Sequence, residues 1–466
     1  SSGPIGVIGY GEGGLLALYA AALDQRIEAT AVSGYFCNRQ TLWCEPIYRN
    51  AFGLLEEFGD AEIASLIAPR HLIIESCPHP TIDGPPTASP DRTGAAPGRI
   101  ITPSSDQVAA EFRRAQNLTG KQGDKFALVD SPTPCGESFL QAFLRTLGIH
   151  RLQSPSRTVR RLRDLPDAHE RRKRQFRQLV DHTQDLLVQA EFKRQDFWAK
   201  AEARNTETWA KTSRRYRLHL YNEVIGRLPA LKMAANPRSR LICREKKYLS
   251  YEVVLDVYRD VFAYGILLLP KNIKKGERRP VVVCQHGLEG RPQDVADANN
   301  ETPAYHRYAC RLADLGYIVF APQNPYIGAD NFRRLQRLAN PLKLSLFSFI
   351  TRQHQRILQW LSSLAEVDAQ RIAFYGLSYG GKTAMRVPAL LEEYYLSICS
   401  ADYNEWIWKN ASAHHKYSYL LTGEYEMPEF NLGNTFNYAE MSWLICPKPF
   451  MVERGHHDGV APDEWV

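Results

Sequence analysis

Short apolar runs alternate with amphipathic stretches over the second half of the chain. A longer stretch, 344–364, has the length and spacing of a helix, and the segments 251–258 and 262–269 predict an antiparallel strand pair. The remaining runs have the length of buried strands and cover 280–285, 317–321, 371–375, 396–400 and 450–453. Strands that alternate with helices favour a mostly parallel sheet covered on both faces, so the pattern predicts an α/β fold.

Two stretches of the chain repeat each other. Residues 5–14 (IGVIGYGEGG) match residues 372–381 (IAFYGLSYGG), and residues 58–75 match residues 436–453 with shared Phe, Ala-Glu, Leu-Ile, Pro and Glu. We therefore predict two copies of one domain. The first copy spans 1–150 and is incomplete at its N-terminus, 151–244 form a basic linker and helical lead-in, and the second copy spans 245–466 and is incomplete at its C-terminus.

Composition narrows the function classes. The formal charge of +7 arises largely from a basic run between Val159 and Arg177, which is typical of a solvated helix face or linker rather than a nucleic-acid module. No apolar run reaches the roughly 18 residues that a membrane span needs. The nine cysteines lack metal-ligand spacing, and Cys284, Cys399 and Cys446 are expected to be buried thiols. The sequence leaves the cellular compartment open, with the periplasm or secretion slightly favoured over the cytoplasm.

The clearest chemical motif is Gly376-Leu377-Ser378-Tyr379-Gly380, which fits G-x-S-x-G between a predicted strand and the helix-like stretch 382–393. Such a turn is so tight that larger residues at the flanking glycines would collide, and it presents the serine hydroxyl above the sheet. We predict that Ser378 is a nucleophile. The alternative is that this segment is a tight turn without a catalytic role.

An earlier loop carries the expected oxyanion donors. His286-Gly287 follows a buried strand in VVVCQHGLEG, where a serine hydrolase of this type supplies its second backbone donor. We predict the N–H groups of Tyr379 and Leu288 as the donors, with Gly287 as the next candidate. His286 precedes the nucleophile in the chain, so a structural role is expected for its side chain.

A serine nucleophile of this kind works with a histidine and an acid, which together form a catalytic triad. The acid is expected after the last apolar run, in PFMVERGHHDGVAP. Asp458 is the main candidate to orient a histidine. Asp402, just past the preceding strand, is the alternative acid, and Glu453 is a third.

The motifs described above do not include the histidine that a serine nucleophile needs. In this fold it follows the acid by some tens of residues, so we expect it beyond Val466, which predicts weak or absent turnover by the 466 residues alone. His414 and His415, in the Tyr- and Trp-rich insertion 403–438, are conceivable substitutes. His456 and His457 are expected at the surface because they lie too close to Asp458 in the loop.

The first copy is degenerate at both matching positions. Gly11 stands where the second copy has Ser378, and Pro80 stands where it has Asp458. It therefore lacks a nucleophile of this kind and is expected to serve packing or binding.

Residues 245–466 resemble bacterial α/β-hydrolases of the acetyl xylan esterase-like and dienelactone-hydrolase-like type. The resemblance is based on the segments HGLEG, GLSYGGK and ERGHHDGVAP. The resemblance implies a serine esterase that forms an acyl-enzyme without metal or organic cofactor, acting on a small-molecule or carbohydrate ester. GLSYGGK is also similar to the elbow of glucuronoyl esterases, which implies that Lys382 contacts substrate. An ordinary helix position for Lys382, a prolyl-oligopeptidase-like peptidase and a non-catalytic carbohydrate-binding scaffold remain alternatives. Oligomeric state is left open.

Overall fold

The computed structural model describes residues 3–84, 98–150 and 167–466. The described chain divides into two compact units. The first comprises the described residues up to 167 with 340–343, and the second comprises 168–339 and 344–466. The helical lead-in thus belongs to the second unit, while the expected boundary near 150 adjoins residues outside the described ranges.

The first unit is a parallel sheet with helices. In the described residues its strands run in the order β1-β2-β3-β4 and all pair in parallel. The strands are β1 Ile5–Tyr10, β2 Ile27–Ser33, β3 His71–Ser76 and β4 Phe126–Asp130; the helices are α1 Glu12–Leu23, α2 Leu54–Glu57, α3 Asp60–Ser65, α4 Ser105–Thr119 and α5 Glu137–Thr146.

The second unit contains a larger, mixed sheet. Its strands are β5 Arg238–Arg244, β6 Tyr248–Tyr258, β7 Val261–Pro270, β8 Arg279–Gln285, β9 Ile318–Pro322, β10 Val367–Leu377, β11 Leu396–Ser400 and β12 Phe450–Glu453. Its helices are α6 Ala168–Trp198, α7 Thr206–His219, α8 Pro292–Ala296, α9 Tyr308–Asp314, α10 Asn331–Ala339, α11 Leu346–Ser363, α12 Tyr379–Leu390, α13 Trp406–Ala411, α14 Leu432–Thr435 and α15 Tyr438–Trp443. The strand order is β12-β11-β10-β8-β9-β7-β6-β5.

The strand directions confirm the mixed α/β prediction. From β9 through β8, β10 and β11 to β12 every pairing is parallel, while β5, β6 and β7 join in antiparallel fashion. The central strands are buried because helices cover both faces, which explains their continuous apolar runs. The carboxyl ends of β8, β9, β10 and β11 therefore meet at one edge, where ligands bind in open α/β sheets.

Three local features differ from the sequence-based expectation. β5 was not predicted, because the strand RSRLICR is basic and lies at the edge of the sheet. α10 was also missed. Cys446 is exposed rather than buried, whereas Cys284 and Cys399 are buried as expected, because Cys446 lies in the turn after α15 and not in β12.

The long helix α6 carries the described part of the basic run. Residues 168–177 are exposed along this helix, which agrees with a solvated helix face; residues 151–166 lie outside the described ranges. No described helix combines the length and apolarity that crossing a membrane requires.

Phe374 on β10 tests the core of the second unit. Its side chain is fully buried, with ring centroids 5.4 Å from Tyr394 and 5.5 Å from His354. We expect Phe374→Ala to lower the free energy of unfolding by about 3–5 kcal/mol through cavity formation. Phe192→Ala, at an exposed position of α6, is the control and should change it by less than ~0.5 kcal/mol. Equal urea midpoints for the two variants would contradict this.

Candidate active site

Ser378 lies at a sharp turn from β10 into α12. Its backbone has φ 58° and ψ −115°, a conformation that residues other than glycine rarely adopt. The Ser378 N–H donates to the Ser400 carbonyl at the end of β11 (2.9 Å), and the residue is partly exposed. Strain of this kind persists only where the surrounding structure imposes it, and it is common at catalytic turns.

The glycines of the motif make the turn possible. A Cβ built at Gly376 would lie 2.0 Å from the Gly380 carbonyl oxygen, and one at Gly380 would lie 2.4 Å from the Gln285 carbonyl oxygen. At Gly381 a Cβ would lie 2.9 Å from the Cβ of Asp402. The backbone of α12 therefore packs directly against the ends of β8, β10 and β11, leaving no room for side chains.

The loop after β8 lies next to the serine. A Cβ at Gly287 would be 3.3 Å from the Ser378 Cβ. The Gly287 N–H donates to the Tyr305 hydroxyl (2.8 Å), so this amide is already engaged. Of the predicted donors, Tyr379 begins α12 and offers a first-turn N–H, and Leu288 follows Gly287 in the loop. Tyr305 was not singled out in the sequence, because only the folded loop brings it to Gly287.

His286 is fully buried and supports this loop. Its Nδ1 lies 2.7 Å from the Gly287 carbonyl oxygen, and its Nε2 lies 3.5 Å from Gln323 Nε2. Burial lowers the pKa of His286 to about 4, which keeps the ring neutral near pH 7. The geometry favours a structural role for this histidine.

Asp402 lies just beyond β11 and is buried. Its Oδ2 accepts a hydrogen bond from the Tyr438 hydroxyl at the start of α15 (2.8 Å). Burial raises the pKa of the Asp402 carboxyl, although the positive charge of Lys382 acts in the opposite direction. This candidate acid is therefore held firmly inside the fold.

Glu453 is the last residue of β12, and Asp458 lies in the turn that follows this strand. Asp458 is half-buried in the turn after β12, where its Oδ1 accepts from the Val460 N–H (2.8 Å). Glu453 accepts from the Tyr375 hydroxyl (2.6 Å). No hydrogen bond among the described residues joins either carboxylate to a histidine.

The four histidines that the sequence offered near the end of the chain lie elsewhere. The His415 ring packs on Trp465 with centroids 4.2 Å apart, and His414 is exposed. His456 is exposed with its Nδ1 3.5 Å from Asp463, and His457 is exposed as well. Within the described ranges no hydrogen bond connects a histidine to Ser378.

Lys382, on the first turn of α12, is enclosed by aromatic rings. Its Nζ lies 4.6 Å from the ring centroid of Trp406, 4.9 Å from Tyr419 and 5.2 Å from Tyr379, and 3.5 Å from Glu424. These contacts account for a buried ammonium through cation–π attraction and an ion pair. They favour a packing role, and contact with substrate stays a prediction.

A second lysine joins this cluster from α13. Lys409 Nζ lies 4.5 Å from the Tyr419 ring centroid, and burial lowers the pKa of Lys409 while the charge of Asp402 opposes that shift. Lys382, Lys409, Asp402 and Glu424 therefore surround Tyr419, which lies in the segment 403–438. Sequence reasoning noted the aromatic content of this segment without these pairings.

The first unit contains the same turn without the hydroxyl. Gly11 has φ 57° and ψ −116°, within a degree of the angles at Ser378. Its N–H donates to the Ser33 carbonyl at the end of β2 (3.0 Å), as Ser378 does to Ser400. A Cβ at Gly11 would lie 3.3 Å from the Pro80 ring. The two positions that match Ser378 and Asp458 are thus in contact here, but neither carries a reactive group.

The second unit is a mixed α/β sheet in which Ser378 forms the turn from β10 into α12. Solved structures similar to this chain include a provisionally assigned acetyl xylan esterase from Bacteroides fragilis (16% identity, 54% of this chain and 69% of that chain, TM-score 0.44). A glucuronoyl esterase from Solibacter usitatus follows (15% identity, 55% and 77%, TM-score 0.38). Acetyl xylan esterase 1 from Thermoanaerobacterium sp. JW/SL YS485 also aligns (15% identity, 53% and 79%, TM-score 0.37). No protein-family model and no curated protein match the sequence.

Gly380→Ala tests the packing of the turn. Because the new methyl group would meet the Gln285 carbonyl, we expect the free energy of unfolding to fall by at least ~2 kcal/mol. Gly455→Ala is the matched control, since a Cβ there meets nothing within 4 Å. Denaturant titration of both variants decides the point, and equal stability would show that the turn can relax.

Asp402→Asn tests the buried carboxyl. The folded state holds this proton more tightly than the unfolded chain, whose aspartates titrate near about 4. Asp402 therefore contributes stability at low pH that is lost as pH rises from about 4 through the raised pKa. We expect the free energy of unfolding of Asp402→Asn, relative to the wild type, to increase over that interval. A difference that stays constant with pH would contradict the raised pKa.

Proposed function

We propose that the protein is a serine hydrolase that cleaves carboxylic esters through an acyl-enzyme on Ser378. The observation that carries the proposal is the strained backbone of Ser378 beside the Gly287 loop. A serine held at positive φ between a parallel strand and a helix, next to a loop with backbone donors, matches the requirements of acyl transfer.

In this reaction the Ser378 Oγ attacks the ester carbonyl carbon. Negative charge develops on the carbonyl oxygen, where the N–H groups of Tyr379 and Leu288 stabilise it. Because the Gly287 N–H is engaged with Tyr305, we rank it behind these two. Collapse of the intermediate expels the alcohol with the serine proton, and water then attacks the acyl group and releases the acid.

A histidine must move the proton, and an acid must orient that histidine. We assign the acid to Asp458, with Asp402 as the alternative. Asp402 is already committed to the Tyr438 hydroxyl and buried near Lys382, whereas Asp458 is half-buried in the turn that follows β12. In the first unit the position matching Asp458, Pro80, lies against the position matching Ser378, which supports this choice.

For the substrate we propose acetyl or glucuronoyl esters of plant polysaccharides. The GLSYGGK motif supports a carbohydrate ester over a peptide. A second candidate function is a non-catalytic, carbohydrate-binding scaffold. It is favoured by one observation, the lack of a hydrogen bond between Ser378 and a histidine in the described part of the chain.

Fluorophosphonate labelling distinguishes the two functions. An activated serine forms a covalent adduct, so peptide mapping should find the adduct at Ser378 and none in Ser378→Ala. Ser363→Ala, at a surface helix end, is the control and should label like the wild type. Hydrolysis of p-nitrophenyl acetate but not of dipeptide anilides would support the ester class. A protein unlabelled at Ser378 would favour the scaffold.

A further inference from the structure

The long helix α6 has a packed part and an exposed part. In its later turns the side chains buried against the rest of the second unit are Leu187, Ala190, Arg194 and Trp198. Gln184 lies at the start of this contact, where its side chain donates to the Ala411 carbonyl and accepts from the Ala413 N–H, both at 3.0 Å. Residues 168–179 are all exposed. We call residues 168–183 the N-terminal part of α6.

The buried stripe of the helix continues into this exposed part. Phe176, Leu179 and Val180 precede Leu187 by 11, 8 and 7 positions, which places them on the side of the helix that is buried further along. Phe176 is nevertheless 70% exposed and Leu179 is 65% exposed. Helical turns whose apolar side is not buried are only marginally stable in water, so this stripe has the character of a contact surface.

Basic residues flank the stripe. Residues 171–177 contain five of them, and all are exposed. Arg172 and Lys173 lie one helical turn before Phe176, and Arg177 lies one turn before Val180, so these three border the apolar side chains. Lys173 also forms an exposed ion pair with a glutamate one turn earlier, and water weakens such a pair.

The acidic residues of this part of the helix lie away from the stripe. At 100° per residue, their positions relative to Phe176 place them on the opposite side of α6, and they are Glu170, Asp181 and Asp185. One side of the N-terminal part is therefore apolar with a positive border, and the other side carries the negative charge. This distribution is complementary to an anionic surface with an apolar layer beneath it.

We propose that the N-terminal part of α6 binds the surface of a membrane that contains anionic phospholipids. Phe176 and Leu179 enter the boundary between headgroups and acyl chains, and the basic residues of 171–177 meet the lipid phosphates and carboxylates. A second copy of the chain fits this surface less well, because pairing two such stripes would bring their basic borders together. The surface contains no residue of the proposed ester chemistry.

Sedimentation of the full chain with lipid vesicles tests the proposal. We expect the protein to sediment with phosphatidylcholine vesicles that contain about 30% phosphatidylserine, and to remain in solution with pure phosphatidylcholine. Because salt screens the attraction, raising the ionic strength from ~0.05 M to ~0.5 M should release most of the bound protein. This salt dependence is measured on the wild type and needs no variant.

Two pairs of substitutions test the apolar stripe. Phe176→Ser combined with Leu179→Ser removes the apolar anchor and should weaken binding to the anionic vesicles about tenfold or more. Val188→Ser combined with Phe192→Ser is the matched control, because these residues are 53% and 64% exposed on another side of the same helix. The control pair should bind like the wild type.

Two further pairs test the basic border. Arg172→Gln combined with Arg177→Gln should also weaken binding about tenfold or more, since each basic residue near an anionic surface contributes to the attraction. Arg204→Gln combined with Lys211→Gln removes the same charge from exposed positions outside α6 and should change binding less than about threefold. The urea midpoints of all four pairs should match the wild type, because every substituted side chain is exposed.

Three vesicle results would overturn the proposal. They are no sedimentation with either kind of vesicle, equal sedimentation with neutral and anionic vesicles, and equal weakening by the test pairs and their controls. Light scattering identifies the alternative partner: a wild-type dimer that the Phe176→Ser and Leu179→Ser pair converts to a monomer would assign the surface to a second copy of the chain instead. Fluorophosphonate labelling at Ser378 is read separately, so failure of the hydrolase proposal leaves the membrane proposal in place, and the reverse also holds.

Discussion

The backbone of α12 approaches the ends of β8 and β10 so closely that a Cβ fits at neither Gly376 nor Gly380. This contact fixes the angle between strand and helix and holds Ser378 at positive φ. It also brings the loop after β8 within van der Waals distance of the serine. The first unit repeats the contact, since a Cβ at Gly9 would lie 1.9 Å from the Gly13 carbonyl oxygen. This close contact between strand and helix therefore occurs in both units, whereas the hydroxyl at the turn is present in the second unit.

Buried charges hold the other side of α12. Arg386 forms an ion pair with Glu429 (2.8 Å), and Lys382 lies among aromatic rings beside Glu424. Ions in the interior are tolerated only when each has a partner, so removal of one member would leave an uncompensated charge. These pairs join α12, the helix that follows Ser378, to the segment 403–438.

The sequence predicted the parts of the fold that local pattern determines. Buried parallel strands read as apolar runs, and β11 and β12 match their predicted ranges, because helices cover both faces of the sheet. The turn at Ser378 was predictable since its glycines leave no alternative geometry. Tyr305 and the partners of Lys382 were not, because their contacts join residues far apart in the chain. β5 escaped notice because an edge strand with basic residues lacks the buried pattern.

The loop 286–290 lies next to Ser378 and is held by side chains on two sides. His286 is neutral and buried, and it holds the Gly287 carbonyl from one side while Gln323 holds the Gly290 carbonyl from the other. The Gly287 N–H donates to the Tyr305 hydroxyl, so the proposed reaction relies on the N–H of Leu288 as the donor from this loop. A shift of this loop would change its spacing from the serine, because a Cβ built at Gly287 lies only 3.3 Å from the Ser378 Cβ. The contacts that His286, Gln323 and Tyr305 make with this loop therefore restrain the backbone on which the proposed oxyanion donor depends.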